Sequence, residues 1–162
     1  MAYFWCLVSN PRRWPIFDFL GNEQNEDAWR ISPNLVQIPN QVAEGQYAIL
    51  RVGTGGGQHH PPGIYAICRL LSGAMPNTAP EVAPLLQGPQ AFDGPHQVVR
   101  VEFLARFLGA PLTITRLEEE ANLGGRNIQA GLIQGRQTSI FEISEADFEF
   151  VANLLQWQRP LV

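Results

Sequence analysis

The chain has 162 residues and a net charge of −4, with 45% apolar and 16% charged residues. That length suits one domain, which can bury roughly two-thirds of its unfolded surface and needs no disulfide or metal to fold. The acidic balance argues against holding nucleic acid by bulk phosphate attraction. All 11 basic residues are arginine, so any such contact is local, made by a few side chains suited to bidentate phosphate or base contacts.

Tyr-Phe-Trp-Cys-Leu-Val (3–8) is a continuous apolar run rich in β-formers and reads as a strand buried on both faces, ended by Ser9-Asn10-Pro11. It is too short for a signal core or a membrane span, which points to a cytoplasmic protein with no membrane partner. Residues 15–20 suit one helical turn started by Pro15. Gly21–Asp27 is a polar loop, and Ala28–Ser32 is a short segment holding Trp29. Gln46–Val52 is a strand candidate. The Gly-rich run 53–57 and His59-His60-Pro61-Pro62 read as a loop, and Gly63–Leu71 as another strand. Cys6 and Cys68 both lie in apolar runs and read as packed thiols.

Residues 73–96 are rich in Pro, Ala and Gly without periodicity, a long surface loop. In Gln97–Phe107, Val99, Val101 and Phe103 alternate with Arg100 and Glu102, the pattern of a half-buried strand. Thr115–Ala121 reads as a short helix, with Thr115 and Glu118 at capping-box spacing. Ile140–Ile143 is a short strand. Ser144–Gln156 is the clearest helix, with Ser144 as N-cap, Asp147 at the box position and Phe148, Val151, Ala152 and Leu155 on one face. Strands do not alternate with long helices, which disfavours a doubly wound sheet. The class is α+β: a small, partly closed mixed β-barrel with short peripheral helices and a C-terminal helix. It is read as one domain over residues 1–162, compatible with a module cut from a longer protein.

Tyr3–Pro11 is similar to the first strand and loop of EVE domains, and Ser9-Asn10 also resembles a pair found in some YTH domains. Asp27-Ala28-Trp29-Arg30 resembles the tryptophan segment of both families. Glu44–Arg51 resembles the EVE pattern x-x-G-D-x-x-x-x-W-R, with Gln46 for the Asp and Leu50 for the aromatic. Gly63–Ser72 resembles G-I-x-G-x-G-x-x-x-S, with Ala66 and Cys68 at small positions. Gln134–Thr138 with Phe141 loosely resembles the R-Q-x-x-G-T loop, and Ile143–Phe150 the start of the last helix. The resemblance implies a PUA-like barrel that reads a modified base without catalysis or cofactor. For EVE domains that base is a modified cytosine in DNA, 5-methyl or 5-hydroxymethyl, flipped into an aromatic pocket. Such domains often target modification-dependent restriction systems, with a nuclease or ATPase fused or associated. The alternative is a YTH-like reader of N6-methyladenine in RNA.

On this resemblance Trp29 is the stacking wall, with one face expected open, since base–aromatic stacking is worth ~1–3 kcal/mol. A tryptophan is otherwise most often core. Ser9, Asn10 and Ser32 are the candidates for reading the base edge, since Asn offers a donor and an acceptor on one plane; turn chemistry before Pro11 competes with that role for Ser9 and Asn10. Phe92, the one aromatic ring in 73–96, is the candidate second wall. Arg12, Arg13, Trp14, Arg30, Arg136, Gln137 and Thr138 are candidates for the nucleic-acid backbone. Trp5 and Trp157 read as packing. The Gly53–Gly57 run lacks the Gly-Lys-Ser/Thr ending of a phosphate loop. His59, His60 and His96 lack metal-ligand spacing, and the sequence shows neither a nucleophile–base set nor functionally spaced carboxylates.

Overall fold

The computed structural model describes residues 3–22, 24–85 and 94–160. Among these residues eight strands form one sheet: β1 (Phe4–Ser9), β2 (Glu26–Ile31), β3 (Tyr47–Val52), β4 (Gly63–Leu70), β5 (Met75–Pro76), β6 (Gln97–Arg106), β7 (Leu112–Thr113) and β8 (Ile140–Ile143). The strand order is β2-β6-β4-β3-β1-β8, with β5 attached to β6 and β7 to β4. β1 and β3 run parallel, Val8 opposite Arg51 and Ser9 opposite Val52. The helices are α1 (Ile16–Gly21), α2 (Ile114–Leu123), α3 (Ala130–Gln134) and α4 (Glu145–Leu154).

The central strands have apolar neighbours on both faces, which is why β1, β3 and β4 are near-continuous apolar runs. One face of β1 carries Trp5 and Leu7 into a cluster with Trp29, Leu50, Tyr65, Val99, Val101 and Ile140. Residues from β1, β2, β3, β4, β6 and β8 meet there, so this cluster lies inside the curl of the sheet, and Ile16, Phe19 and Leu20 of α1 close it. The other face carries Phe4 and Cys6 against Ile49, Ile67, Leu117, Leu132, Phe148 and Val151, the outer layer formed by α2, α3 and α4. Each large aliphatic side chain sealed in these layers contributes ~1.5–3 kcal/mol by burial. Cys6 and Cys68 are buried free thiols, and burial pushes Cys6 up to about 12.

Two irregularities bend the sheet. The β3–β4 register slips after Leu50, leaving Tyr65 unpaired, and the β4–β6 register slips between Ile67 and Cys68. Such bulges kink a strand and re-aim the side chains beside them. Trp5 is fully buried, and its Nε1 donates to Gln46 Oε1 at 2.8 Å. Gln46, which stands where the family pattern has Asp, also accepts from the Ala43 amide and donates to the Gln41 carbonyl.

Several local expectations shift. The cap of α2 is Thr113, whose side chain accepts from the Arg116 amide, because the chain enters the helix directly from β7. Thr115 therefore sits inside the helix, and Arg116 rather than an acid occupies the box position. At α4, Ser144 caps as expected, with Oγ accepting from the Asp147 amide at 3.0 Å. The Asp147 carboxylate turns away from Ser144, to Arg126 at 3.1 Å and the Gln129 amide at 3.0 Å. Strand β2 takes Glu26 and Asp27 from the stretch expected as a polar loop over Gly21–Asp27 and continues through Ala28–Ile31, with Ser32 just past its end. The 73–96 segment gives β5 to the sheet, with Met75 paired to Val98.

Candidate nucleic-acid interface

Strands β1 and β3 end side by side, with the Gly53 amide donating to the Ser9 carbonyl at 3.0 Å. A cavity of about 990 Å³ opens at these ends. Its walls come from the turn after β1, the end of β2, the end of β3 and the segment joining α3 to β8. A cavity of that size can hold a nucleotide-sized ligand.

Ser9 is 4% exposed, and its Oγ is buried without a hydrogen-bond partner. Asn10 is exposed and organises the next turn: its carbonyl accepts from the amides of Arg13 and Trp14, and its Oδ1 from the Arg12 amide at 3.0 Å. The turn reading of Asn10 therefore describes its local geometry, and the turn carries exposed Arg12 and Arg13 to the rim. Trp14 folds inward at 9% exposure and packs on Phe19, with ring centres 5.5 Å apart.

Trp29 lines the same cavity but is only 4% exposed. Trp14 meets it in a T-shaped contact with ring centres 5.6 Å apart, and Trp29 Nε1 donates to the Ser139 carbonyl at 2.8 Å. The expected open face is therefore corrected: the ring is covered, because it also fastens β2 to the segment before β8. Ser32 joins that fastening, its amide donating to Ser139 Oγ and its own hydroxyl bonded to the same atom, both at 3.1 Å. Arg136 and Gln137 are exposed at the rim, with the Arg136 guanidinium 5.1 Å from the Phe141 ring centre. Thr138 bonds the Ile140 carbonyl at 3.3 Å. Arg30 is half-buried in the wall. The structure thus brings 11 of the 12 sequence candidates to one cavity; Phe92 lies outside the described residues.

Two contributors escaped the sequence reading. Ser139 gave no signal. Arg51 does give one, an arginine inside an apolar strand, where the family resemblance supplies only its place in a pattern. It is 6% exposed, lines the cavity, and donates from Nε to the Leu132 carbonyl and from Nη2 to the Ile133 carbonyl, both at 2.9 Å. Burial pulls its guanidinium below the ordinary value, the nearby Cys6 opposing, yet arginine stays charged.

The charge around the cavity is sorted. Five of the 11 arginines line it, and none of the described residues that line it is acidic. Elsewhere Arg69 pairs with Glu102, Arg100 with Glu26, Arg126 with Asp147, and Arg159 with Glu145 and Glu149. Among the described residues, Arg12, Arg13, Arg51 and Arg136 have no carboxylate partner. His60 stacks on Phe17 with ring centres 4.1 Å apart, and His96 Nδ1 bonds the Gly94 carbonyl. Among the described residues no three of His, Cys, Asp and Glu could hold a metal ion, and no helix is long and apolar enough to cross a membrane.

Gly135 lets the segment pass the guanidinium. Its φ of +80° with ψ of 165° is a region only glycine enters readily. A Cβ there would stand 2.9 Å from Arg51 Nη1. Gly135→Ala is expected to cost ~1–3 kcal/mol, read by urea unfolding. An unchanged midpoint would mean that this backbone is not constrained as described.

The EVE domain model matches residues 3–154. The chain belongs to the EVE domain family. The domain also shares its fold with human THYN1, solved in complex with 5-methylcytosine-containing DNA, at 15% identity and TM-score 0.66, over 98% of this chain and 100% of that one. A hypothetical protein from Leishmania major gives 18% identity and TM-score 0.65, with 96% of each chain covered. A protein from Agrobacterium tumefaciens gives 15% and 0.63, over 98% and 97%. No curated protein matches by sequence. The curled half-barrel with four short helices is thus the PUA-like fold of the EVE domain.

Proposed function

We propose that this EVE domain is a non-catalytic reader of a modified cytosine, 5-methyl or 5-hydroxymethyl, turned out of a DNA duplex into the cavity beside Trp29. The observation that carries the reading is the charge sorting: in a chain of net charge −4, five arginines and, among the described residues, no carboxylate line one cavity that two tryptophans also line. The structural likeness to THYN1, solved with 5-methylcytosine-containing DNA, supports the choice of base and of nucleic acid. Flipping costs a few kcal/mol of stacking and pairing, and burial of the base in the cavity offsets it. Arg12, Arg13 and Arg136 hold phosphates at the rim, helped by Arg30, Gln137 and Thr138. Ser9, Asn10 and Ser32 lie where a base edge arrives. Stacking on Trp29 then requires the Arg12–Trp14 turn to swing outward, because Trp14 packs against that ring. Catalysis belongs to a fused or associated nuclease or ATPase, which the domain would target to modified DNA in a restriction system.

The test is fluorescence anisotropy with matched duplexes carrying cytosine, 5-methylcytosine or 5-hydroxymethylcytosine, beside an RNA carrying N6-methyladenine. A preference for a modified-cytosine duplex is expected, and the DNA should stay intact. Preference for the RNA, or cleavage by this chain alone, would overturn the reading. The salt dependence checks the interface. Three or four rim arginines give a slope of log K against log salt of about −3 to −4. A slope near −9, about ten phosphates, would require a broad basic face that the chain lacks.

A further inference from the structure

Arg51 follows Leu50 and precedes Val52, both fully buried. A charge taken from water is costly unless its hydrogen bonds are met. Guanidinium has five N–H groups and no acceptor, and carbonyls of the α3 segment satisfy it only at Nε and Nη2. Nη1 makes no hydrogen bond with the described residues and lies against Gly135, in the wall of the cavity. Ser9, nine-tenths buried in that wall, also has an unpartnered hydroxyl. These groups need a ligand that reaches past the rim. Phosphates are met first by exposed Arg12, Arg13 and Arg136, whereas a flipped base carries its pairing edge inward.

We propose that Arg51 reads the base: its unpaired N–H groups donate to the two adjacent acceptors on the pairing edge of a cytosine, O2 and N3. This rests on the function proposed above and adds the group that selects the base. Thymine has the same ring and the same 5-methyl group, but its N3 carries a hydrogen, which would face a donor with nothing to accept it. A methyl-sensing wall alone cannot tell 5-methylcytosine from thymine; a buried guanidinium can. The ligand chemistry is an acceptor pair, which a phosphate could also supply, so the test separates the two sources.

The experiment compares one duplex carrying either 5-methylcytosine or thymine opposite the same guanine. The thymine pair is weaker and flips more easily, which biases the comparison against the expected result. The wild-type domain should prefer 5-methylcytosine by about 10- to 100-fold. Arg51→Gln should bring the ratio close to one, because a carboxamide can turn to suit either edge, and Arg51→Lys should keep part of the preference. Thermal midpoints of the variants report whether α3 is still held. The unmutated domain provides a measurement independent of folding: 5-methyl-2′-deoxycytidine should shift its midpoint more than thymidine does, and inorganic phosphate should not abolish the difference. An unchanged ratio in Arg51→Gln, no discrimination between the two nucleosides, or an effect confined to phosphate-bearing ligands would overturn the assignment while leaving the reader function standing. Failure of the wild type to bind any modified duplex would remove both.

Discussion

Trp29→Ala is expected to cost ~3–5 kcal/mol of stability, the range for deleting a buried aromatic, and to abolish binding of the modified base at temperatures where the wild type is folded. The ring is 4% exposed, packs against Trp14 and closes the sheet through Ser139. Trp29→Phe should separate the two roles. It keeps a ring for stacking but loses the bond to the Ser139 carbonyl, a change of ~0.5–1.5 kcal/mol. Urea unfolding and anisotropy on the same samples check both. An alanine variant with an unchanged midpoint would contradict the closing role, and an alanine variant that binds normally would move the wall elsewhere, first to Trp14.

Asp27 should make the domain less stable as pH rises from about 4 to about 7. Its carboxyl is fully buried; one oxygen accepts from the Ala28 amide and the other has no partner. Burial is the main cause that lifts its pKa from 3.8 to about 7, the Ala28 amide opposing. An unfolded chain ionises this group near pH 4, while the folded one holds its proton until about 7. Stability is therefore fully present below 4 and lost as pH climbs through the folded value, by roughly 4 kcal/mol at 1.36 kcal/mol per unit. Cys68, close enough to feel Asp27, has a burial-raised pKa and stays neutral across this window. Asp27→Asn keeps the acceptor for Ala28 and removes the charge. Thermal midpoints measured from pH 4 to 8 should fall for the wild type and stay nearly level for the variant; parallel curves would show that Asp27 is not the group responsible.

The fold was legible where burial wrote a pattern. β1, β3 and β4 are apolar because both faces are covered, and α4 shows its packed side in Phe148, Val151 and Ala152. β5 and β7 have two residues each, too few for a period, and α3 has five, one of them Gly131. The cap of α2 was misplaced by two residues because Thr113 and Thr115 are equivalent by type; the pairing of Thr113 with Gly63 decides between them. At the site, strand ends and loop arginines were legible, but their meeting was not. Trp29 is covered through Ser139, 110 residues away, and no local pattern encodes that distance. Arg51 is buried against carbonyls 81 and 82 residues later, so its role also lies in the tertiary arrangement.

β2 and β8 end the strand order and share no backbone ladder; three hydrogen bonds to Ser139, from Trp29 and from Ser32, fasten the gap between them. Such a seam opens at a fraction of the free energy of global unfolding. Both its residues on β2's side and Ser139 itself line the cavity, so opening the seam would widen that cavity. A ligand that needs the widened form would trade affinity for access, while one that clamps the seam shut would slow amide exchange across β2 and β8 together. The gap in the barrel is thus where the proposed binding and local melting would draw on the same bonds.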